Sequence, residues 1–348
     1  MRQLLTLAGL VLAGLAVAWL GKVEVTSLDD SPAYGYLTFA LLAIGLYGAT
    51  HGIEPRQARN DRRLILTAVT VGVLAKALLI GGLLALVFRD PLFFVLGAAV
   101  AQIDPLAVAA LLGDGRMSKR AKTILVSWSS FDDPVTVLLA TSLATVLSLS
   151  TPGPFAWLWG LTANLGLAVL TVAAWRLAPR AWWVYLPIAI GVAVAFQWML
   201  AVALIRLFCA PAVLARWIPK LTFAALACAT VLLGVVLSGG VRLLPGIALG
   251  LAAFAAQAVV AWPLARSLPR TDRAQLALAQ QNGITAIILA LALQVEIPYA
   301  VAVIGPAILV VNFTHLVANR LYHRRTPVGD LAHGEVAAGS GPGEPDGR

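Results

Sequence analysis

Hydrophobic positions along this chain do not alternate with polar ones. They run together in long apolar blocks separated by short polar loops. Blocks of that length must satisfy their own backbone hydrogen bonds in lipid, and this selects α-helix. A transmembrane β-barrel would need in-out alternation, which is missing. The pattern predicts twelve helical segments, at about 4–20, 34–49, 64–88, 92–112, 121–149, 155–177, 182–196, 198–215, 221–238, 243–264, 273–293 and 298–322. The stretch 182–218 is read as two short helices because a single one would invert the charge bias of every later loop. With two, the basic loops fall on one side. They hold Arg56, Arg59, Arg62 and Arg63; then Arg116, Lys119, Arg120 and Lys122; then Arg180, Arg216 and Lys220; then Arg266, Arg270 and Arg273; then Arg320, Arg324 and Arg325. That side is cytoplasmic, so both termini are expected inside and the protein in the cell inner (cytoplasmic) membrane.

Composition narrows the class further. Of 348 residues, 60% are hydrophobic and only 12% charged, and the mean hydropathy is +0.88; a soluble domain carries about 25% charged residues. The net charge of +9 is a topology signal rather than a nucleic-acid footprint, because the Lys and Arg sit in short loops. Cys209 and Cys228 have no metal-ligand or disulfide spacing. No G-x-x-x-x-G-K-[ST] loop is present, so no nucleotide-driven step is expected. The first apolar run, with Arg2 and Ala16-Val17-Ala18, resembles a signal peptide; it is read as an uncleaved first helix. The chain is thus one transmembrane domain over 1–325, followed by a Gly-, Pro- and acid-rich tail, 326–348, expected to be disordered and cytoplasmic.

Acids inside apolar blocks are costly and normally mark an ion or proton path. Asp104 lies in the fourth segment and Asp132-Asp133 in the fifth, with a basic loop between. Pro105 lacks an amide hydrogen and disfavours helix at Asp104, so the fourth segment should break there. The eleventh segment carries a matching interruption, Gln280-Gln281-Asn282-Gly283, with Gly283 supplying backbone freedom. The two triplets, about 64–149 and 243–322, run in opposite senses. Paired interrupted segments in inverted repeats point to a secondary transporter's site. Asp104 suits the exposed amide ends of the half-helices, and Asn282 the second break. The plainer possibility is that Asp104-Pro105 is an N-cap and first turn in a buried kink.

Ser129 and Asp133 are four apart and share a helix face, with Asp132 beside them. Hydroxyl and carboxylate oxygens suit Na⁺ or similar cations, and the same carboxylates bind H⁺. A site that takes one or the other is a chemical basis for exchange. The competing reading makes Asp133 a cap before Pro134. It leaves only 134–149, rather short for a span. Lys76 could pair with an acid or snorkel; Gln257 and Asn164 read as interhelical hydrogen bonds; His51 and His315 have no second ligand in reach.

Together these residues resemble the monovalent cation:proton antiporter superfamily. There a Thr-Asp-Pro break precedes a basic loop and then a helix with an Asn-Asp or Asp-Asp pair. Ile103-Asp104-Pro105, Arg116–Lys122 and Asp132-Asp133 match in order, and Gly283-Ile284-Thr285-Ala286 is similar to the second broken helix. The resemblance implies an all-α antiporter fold with crossed interrupted helices, a scaffold that usually dimerises, and exchange of Na⁺ (or Li⁺ or K⁺) for H⁺ without an organic cofactor. It makes Asp133 the principal cation/proton site, Ser129 an auxiliary ligand, and Asp104 the balance for the helix ends. An Asp in the first position of the pair tends to accompany electrogenic members. This chain departs in three places. Ile103 replaces the Thr, Trp128 stands where electroneutral members have Glu, and the tenth segment offers Gln257 where a base is expected. Asp132 is left without that basic partner. The alternatives are a sodium-coupled organic anion symporter of the same fold, an intramembrane aspartyl protease, or a transport-dead sensor.

Overall fold

The structure is a computed structural model that describes residues 2–25, 31–49, 61–104, 108, 117–147, 156–279 and 283–325. The elements are α1 (Arg2–Gly21), α2 (Pro32–Ala49), α3 (Arg62–Phe88), α4 (Phe93–Ala99), α5 (Lys119–Leu147), α6 (Ala156–Leu177), α7 (Trp182–Ala195) and α8 (Met199–Phe208), followed by α9 (Ile218–Leu237), α10 (Leu243–Leu264), α11 (Arg270–Ala277), α12 (Ile284–Leu293) and α13 (Ala300–Arg325). No strand occurs among the described residues. Each predicted segment is helical at least in part. Among the described residues five helices, α3, α6, α9, α10 and α13, are long and apolar enough to cross a bilayer. The stretch 182–218 begins with two short helices, as the charge pattern required, but the second ends at Phe208 rather than 215, where extended backbone at Cys209 and Pro211 interrupts it, and a separate turn of helix, Ala212–Ala215, follows.

Two departures from regular helix set up the site. The fourth and eleventh segments break in the middle. α4 stops at Ala99, and α11 and α12 are the separated halves of one segment. The third segment keeps its direction but contains a π-helical turn, Ala68–Gly72, one turn before Lys76. By contrast α5 runs unbroken through Pro134. Asp132 and Asp133 therefore stand mid-helix, and the reading of Asp133 as a helix cap is excluded.

The packing forms two groups. α3, α4, α5 and α10–α13 surround the breaks, with α10 lying along α13 and α3 along α4. α1, α2 and α9 pack together, and α6–α8 form a neighbouring layer. Small residues let the tightest pairs close. A Cβ on Gly14 would sit 2.0 Å from the Val231 carbonyl oxygen, and one on Gly97 2.5 Å from the Gly81 nitrogen. Such contacts replace the hydrophobic effect, which lipid does not supply between helices.

Side chains tie the ends of the first group. At one end Ser118 caps α5, accepting from Ala121 N–H at 3.2 Å, and donates from its own hydroxyl to Asp272 at 2.6 Å. Arg120 meets Asp61 at 2.6 Å. At the other end Tyr299 donates to Asp90, and the Arg242 guanidinium lies 4.4 Å from the Tyr299 ring centre. Burial and the Asp90 contact push the Tyr299 hydroxyl pKa upward.

Candidate functional site

Breaking a helix leaves carbonyls unpaired at one half and amides at the other. The carbonyl ends are capped by glutamines and a histidine. Gln102 Nε2 donates to Ala99 O at 3.1 Å, closing α4 from its own loop. At the end of α11, Gln257 Nε2 reaches Leu276 O at 3.1 Å from α10, and His315 Nδ1 lies 2.8 Å from Leu278 O. Gln257 and His315 therefore serve the second break rather than a metal.

The amide ends hold acid. Val108 N–H donates to Asp104 O at 3.0 Å, a helical hydrogen bond that starts at Asp104 just past the first break. Gly283 begins α12 in the same way, with Ile287 N–H on Gly283 O. The two starts touch: a Cβ on Gly283 would lie 2.1 Å from Asp104 Oδ1. The Asp104 carboxylate thus sits at the N-terminus of α12, where the dipole favours negative charge. The glycine is required for a different reason than conformational freedom. Its φ of −93° suits any residue; what it supplies is room for the Asp104 carboxylate.

The acid pair on α5 lies between the breaks, and each member binds one of them. Asp132 Oδ2 accepts Ile103 N–H at 2.9 Å. Asp133 Oδ2 accepts the Thr285 hydroxyl at 2.7 Å. Ile103 thus contributes its main chain, and losing the Thr hydroxyl at this position does not remove the contact. Both acids are 1% exposed or less, and the Oδ1 atom of each has no hydrogen-bond partner among the described residues. Asp104 and Lys76 are also close enough to act electrostatically on Asp133.

Asp132 does have a basic partner. Lys76 Nζ lies 2.8 Å from Asp132 Oδ2, and both side chains are fully buried. The base comes from α3, not from α10, where Gln257 occupies the expected helix. Trp128, one turn before Asp132, places its ring centre 5.3 Å from the ammonium, within cation–π range. The apparent deficit in the sequence was therefore a relocation. With Lys76 included, the ionised cluster of three acids and one base carries two net negative charges, which suits cations.

Of the remaining sequence expectations, Ser129 is buried and donates to Val126 O at 3.1 Å within its own helix, so Thr285 is the hydroxyl on Asp133. Pro105, Gln281 and Asn282 lie outside the described residues, as does the tail. Sequence reasoning missed Thr285 as a site residue, although it follows the second interruption directly. Lys76, the only charged residue in the interior of its apolar run, was read as able to pair with an acid but was not counted among the site residues.

The buried acids disfavour an organic anion as cargo. Comparison with known proteins agrees. No curated protein matches the chain. The fold is similar to that of the sodium proton antiporter MjNhaP1 from Methanocaldococcus jannaschii at pH 8, with a TM-score of 0.69 and 17% identity over 90% of this chain and 88% of that one. Residues 2–238, which include Lys76 and all three acids, match the sequence model of the family described as sodium/hydrogen exchanger, transmembrane. The chain belongs to that family, a membrane transporter exchanging cations for protons rather than an enzyme.

Proposed function

We propose that exchange takes place on the two unpartnered carboxylate oxygens of Asp132 and Asp133, with Na⁺ (or Li⁺ or K⁺) and H⁺ as mutually exclusive occupants. The observation that carries this reading is the pair of bare Oδ1 atoms, fully buried beside two broken helices. A buried carboxylate oxygen without a donor is costly unless a cation or proton meets it. Asp133 is the principal exchanging group. Among the described residues its donor is the neutral Thr285 hydroxyl, which can turn away from Oδ2 or present its oxygen to a cation. Asp104 remains at the helix crossing and balances the two dipoles. Ser129 is retained as an auxiliary oxygen through its lone pairs. Pro105, Gln281, Asn282 and Gly283 shape the breaks.

A path toward the pair is consistent with the packing. Val137 and Thr141 lie one and two turns beyond Asp133 on the same face of α5, and both line a cavity of mixed polar and apolar residues shared with Asn164 and Gln197. In this reading the group containing α3–α5 and α10–α13 carries the site past a scaffold of α1, α2 and α6–α9. The inverted repeats are about 64–149 and 243–322, the scaffold dimerises, and both termini face the cytoplasm of the inner membrane.

The test is dye-monitored proton movement in proteoliposomes with an imposed pH gradient, adding Na⁺, Li⁺ and K⁺ in turn. Cation-dependent dissipation is expected from wild type and none from Asp133→Asn. Because proton and cation compete, the apparent KM for the cation should rise toward about tenfold per unit of acidification in the limit of direct competition. A folded wild-type protein with no response to any of the three cations would overturn the proposal.

A further inference from the structure

The buried positions of α3 do not follow a single α-helical stripe. Ile65, Ala68, Val69 and Gly72 are buried in its first part, and Lys76, Ile80, Gly81 and Leu84 in its second. Wound as a uniform α-helix, with 3.6 residues per turn, the two groups would point about 100° apart. The π turn Ala68–Gly72 holds one residue more than an α turn and takes up that rotation, so both groups share one face. The opposite face is exposed, through Leu66, Val71, Leu74 and Leu78.

Each part of the helix is held by close packing. At the turn, a Cβ on Gly72 would lie 3.1 Å from Leu264 Cδ1 and 3.6 Å from Trp128 Cζ2. Further on, a Cβ on Gly97 of α4 would lie 2.5 Å from the Gly81 nitrogen. Lys76 stands between these contacts, one turn past Gly72. Its direction of departure from the helix is therefore set from both sides.

Trp128 joins the turn to the acids. Its Cζ2 edge faces Gly72, its ring centre is 5.3 Å from Lys76 Nζ, and it precedes Asp132 by one turn on the same face of α5. Lys76 and Asp132 are 0% exposed and Trp128 is 1% exposed. The indole N–H is buried with no hydrogen-bond partner among the described residues. That arrangement is costly, and a Phe or Leu filling the same space would avoid it. Packing alone does not select Trp here; a strong π face toward an ammonium does. Lys76 in turn meets Asp132 Oδ2 at 2.8 Å, and Ile103 N–H meets the same oxygen at 2.9 Å. Two donors on one oxygen fix the carboxylate plane, and with it the direction of the bare Oδ1.

We infer that Gly72 and Trp128 are positioning residues for cation exchange: Gly72 lets the π turn close on Trp128, and the Trp128 ring holds Lys76 on Asp132 Oδ2, so that Asp132 Oδ1 is aimed where the cation binds. The inference rests on the reading of the two bare Oδ1 atoms as the exchange site. It adds two residues that offer the cation no ligand. Their competing role is packing. A residue that only fills space acts on stability, whereas one that works through Lys76 acts on cation affinity, and only while Lys76 is present.

The experiment uses the full chain in proteoliposomes with a pH-sensitive dye and Na⁺ as the probe, and reads the Na⁺ KM, the maximal rate and Tm of each variant. Trp128→Leu and Gly72→Val should each raise the Na⁺ KM by about tenfold, the effect of losing an outer partner of a ligand. Trp128→Phe should fall between Trp128→Leu and wild type, because a weaker π face remains. Lys76→Gln should raise the KM by a similar factor. Adding Trp128→Leu or Gly72→Val to Lys76→Gln should then leave the KM where it is, since nothing remains to be positioned. Single variants that lower Tm or the maximal rate with the KM unchanged would overturn the inference. So would KM factors that multiply with that of Lys76→Gln. Both results leave exchange at Asp133 intact, whereas no Na⁺-dependent dissipation from wild type would remove the exchange reading and the inference with it. Should any of the larger changes fail to fold, the conservative Trp128→Phe decides: a raised KM supports the positioning role, and one equal to wild type overturns it.

Discussion

The two broken helices solve one problem with different chemistry. Each has a capped carbonyl end and donates one hydrogen bond to the acid pair. At the first break the donor to Asp132 is a backbone N–H, from Ile103, and the cap is local, from Gln102. At the second break the donor to Asp133 is a side-chain hydroxyl, from Thr285, and the caps come from α10 and α13. A main-chain donor cannot turn away without moving the helix; a hydroxyl can rotate or offer its oxygen. The first break is built to hold a charge in place, and the second to let one come and go.

The largest test of that contrast removes the exchanging acid. Asp133→Asn should abolish cation-dependent proton movement in proteoliposomes, because Asn cannot release a proton. If Asp133→Asn transported normally while Asp132→Asn did not, the roles assigned to the two breaks would be reversed.

Next in size is Gly283→Ala. The new methyl would meet the Asp104 carboxylate 2.1 Å away, and overpacking of this kind costs about 1–3 kcal/mol. The expected outcome is a lowered Tm together with a transport loss that shortening Asp104 to Ala partly relieves in Tm. If glycine were needed for its backbone, that relief would not occur.

Thr285 separates the two breaks most directly, since a hydroxyl can be deleted and a backbone amide cannot. A hydrogen bond to a charged group contributes about 1.5–3 kcal/mol. Thr285→Val should therefore raise the cation KM by about tenfold or more, and Thr285→Ser should restore it. Equal KM values for the Val variant and wild type would show that the second break does not handle the cargo.

How much of this was readable from the sequence depends on whether a feature is local. The breaks were legible because Asp104-Pro105 and the Gln-Gln-Asn-Gly cluster interrupt apolar runs, and the position of the acid pair followed from helical spacing alone. That Lys76 could meet an acid was legible; that the acid is Asp132 was not. Lys76 lies 56 residues away, and its aim depends on a π turn in Ala-Val-Thr-Val-Gly, a stretch with no residue that demands one. Ile103 misled for a related reason: its side chain suggested a lost oxygen, whereas the contact is made by its amide. The reading of Gly283 failed because a glycine's need for space is visible only when its neighbour is known. Side-chain identity reports on local conformation, while pairings across the bundle come from packing.

The caps should give a smaller effect and again distinguish the breaks. Gln257→Leu removes one of the two donors to Leu276 O, the other being Ala279 N–H at 3.3 Å, for a cost of about 0.5–1.5 kcal/mol. This should appear as a lower Tm with the cation KM little changed, since Gln257 touches the end of α11 and not the acids. A large KM change would place α10 nearer the cargo than its contacts indicate.

The smallest expected effect lies at the bundle's edge, where Arg120 bridges Asp61 with half of its side chain exposed. Pairs of this kind are worth about 0–1 kcal/mol and are weakened by salt. Arg120→Ala should shift Tm only slightly at low ionic strength and not at all at high salt, with exchange retained. The pair of Lys76 and Asp132 is the same chemistry with water excluded. Its disruption should be largely insensitive to salt, because ions in solution cannot screen charges they do not reach. Measuring both variants across a salt series therefore asks one question of two ion pairs. If Lys76→Gln and Arg120→Ala showed the same salt dependence, the lysine would be reached by solvent, and the contrast between a buried pair at Asp132 and an open carboxylate oxygen at Asp133 would lose its physical basis.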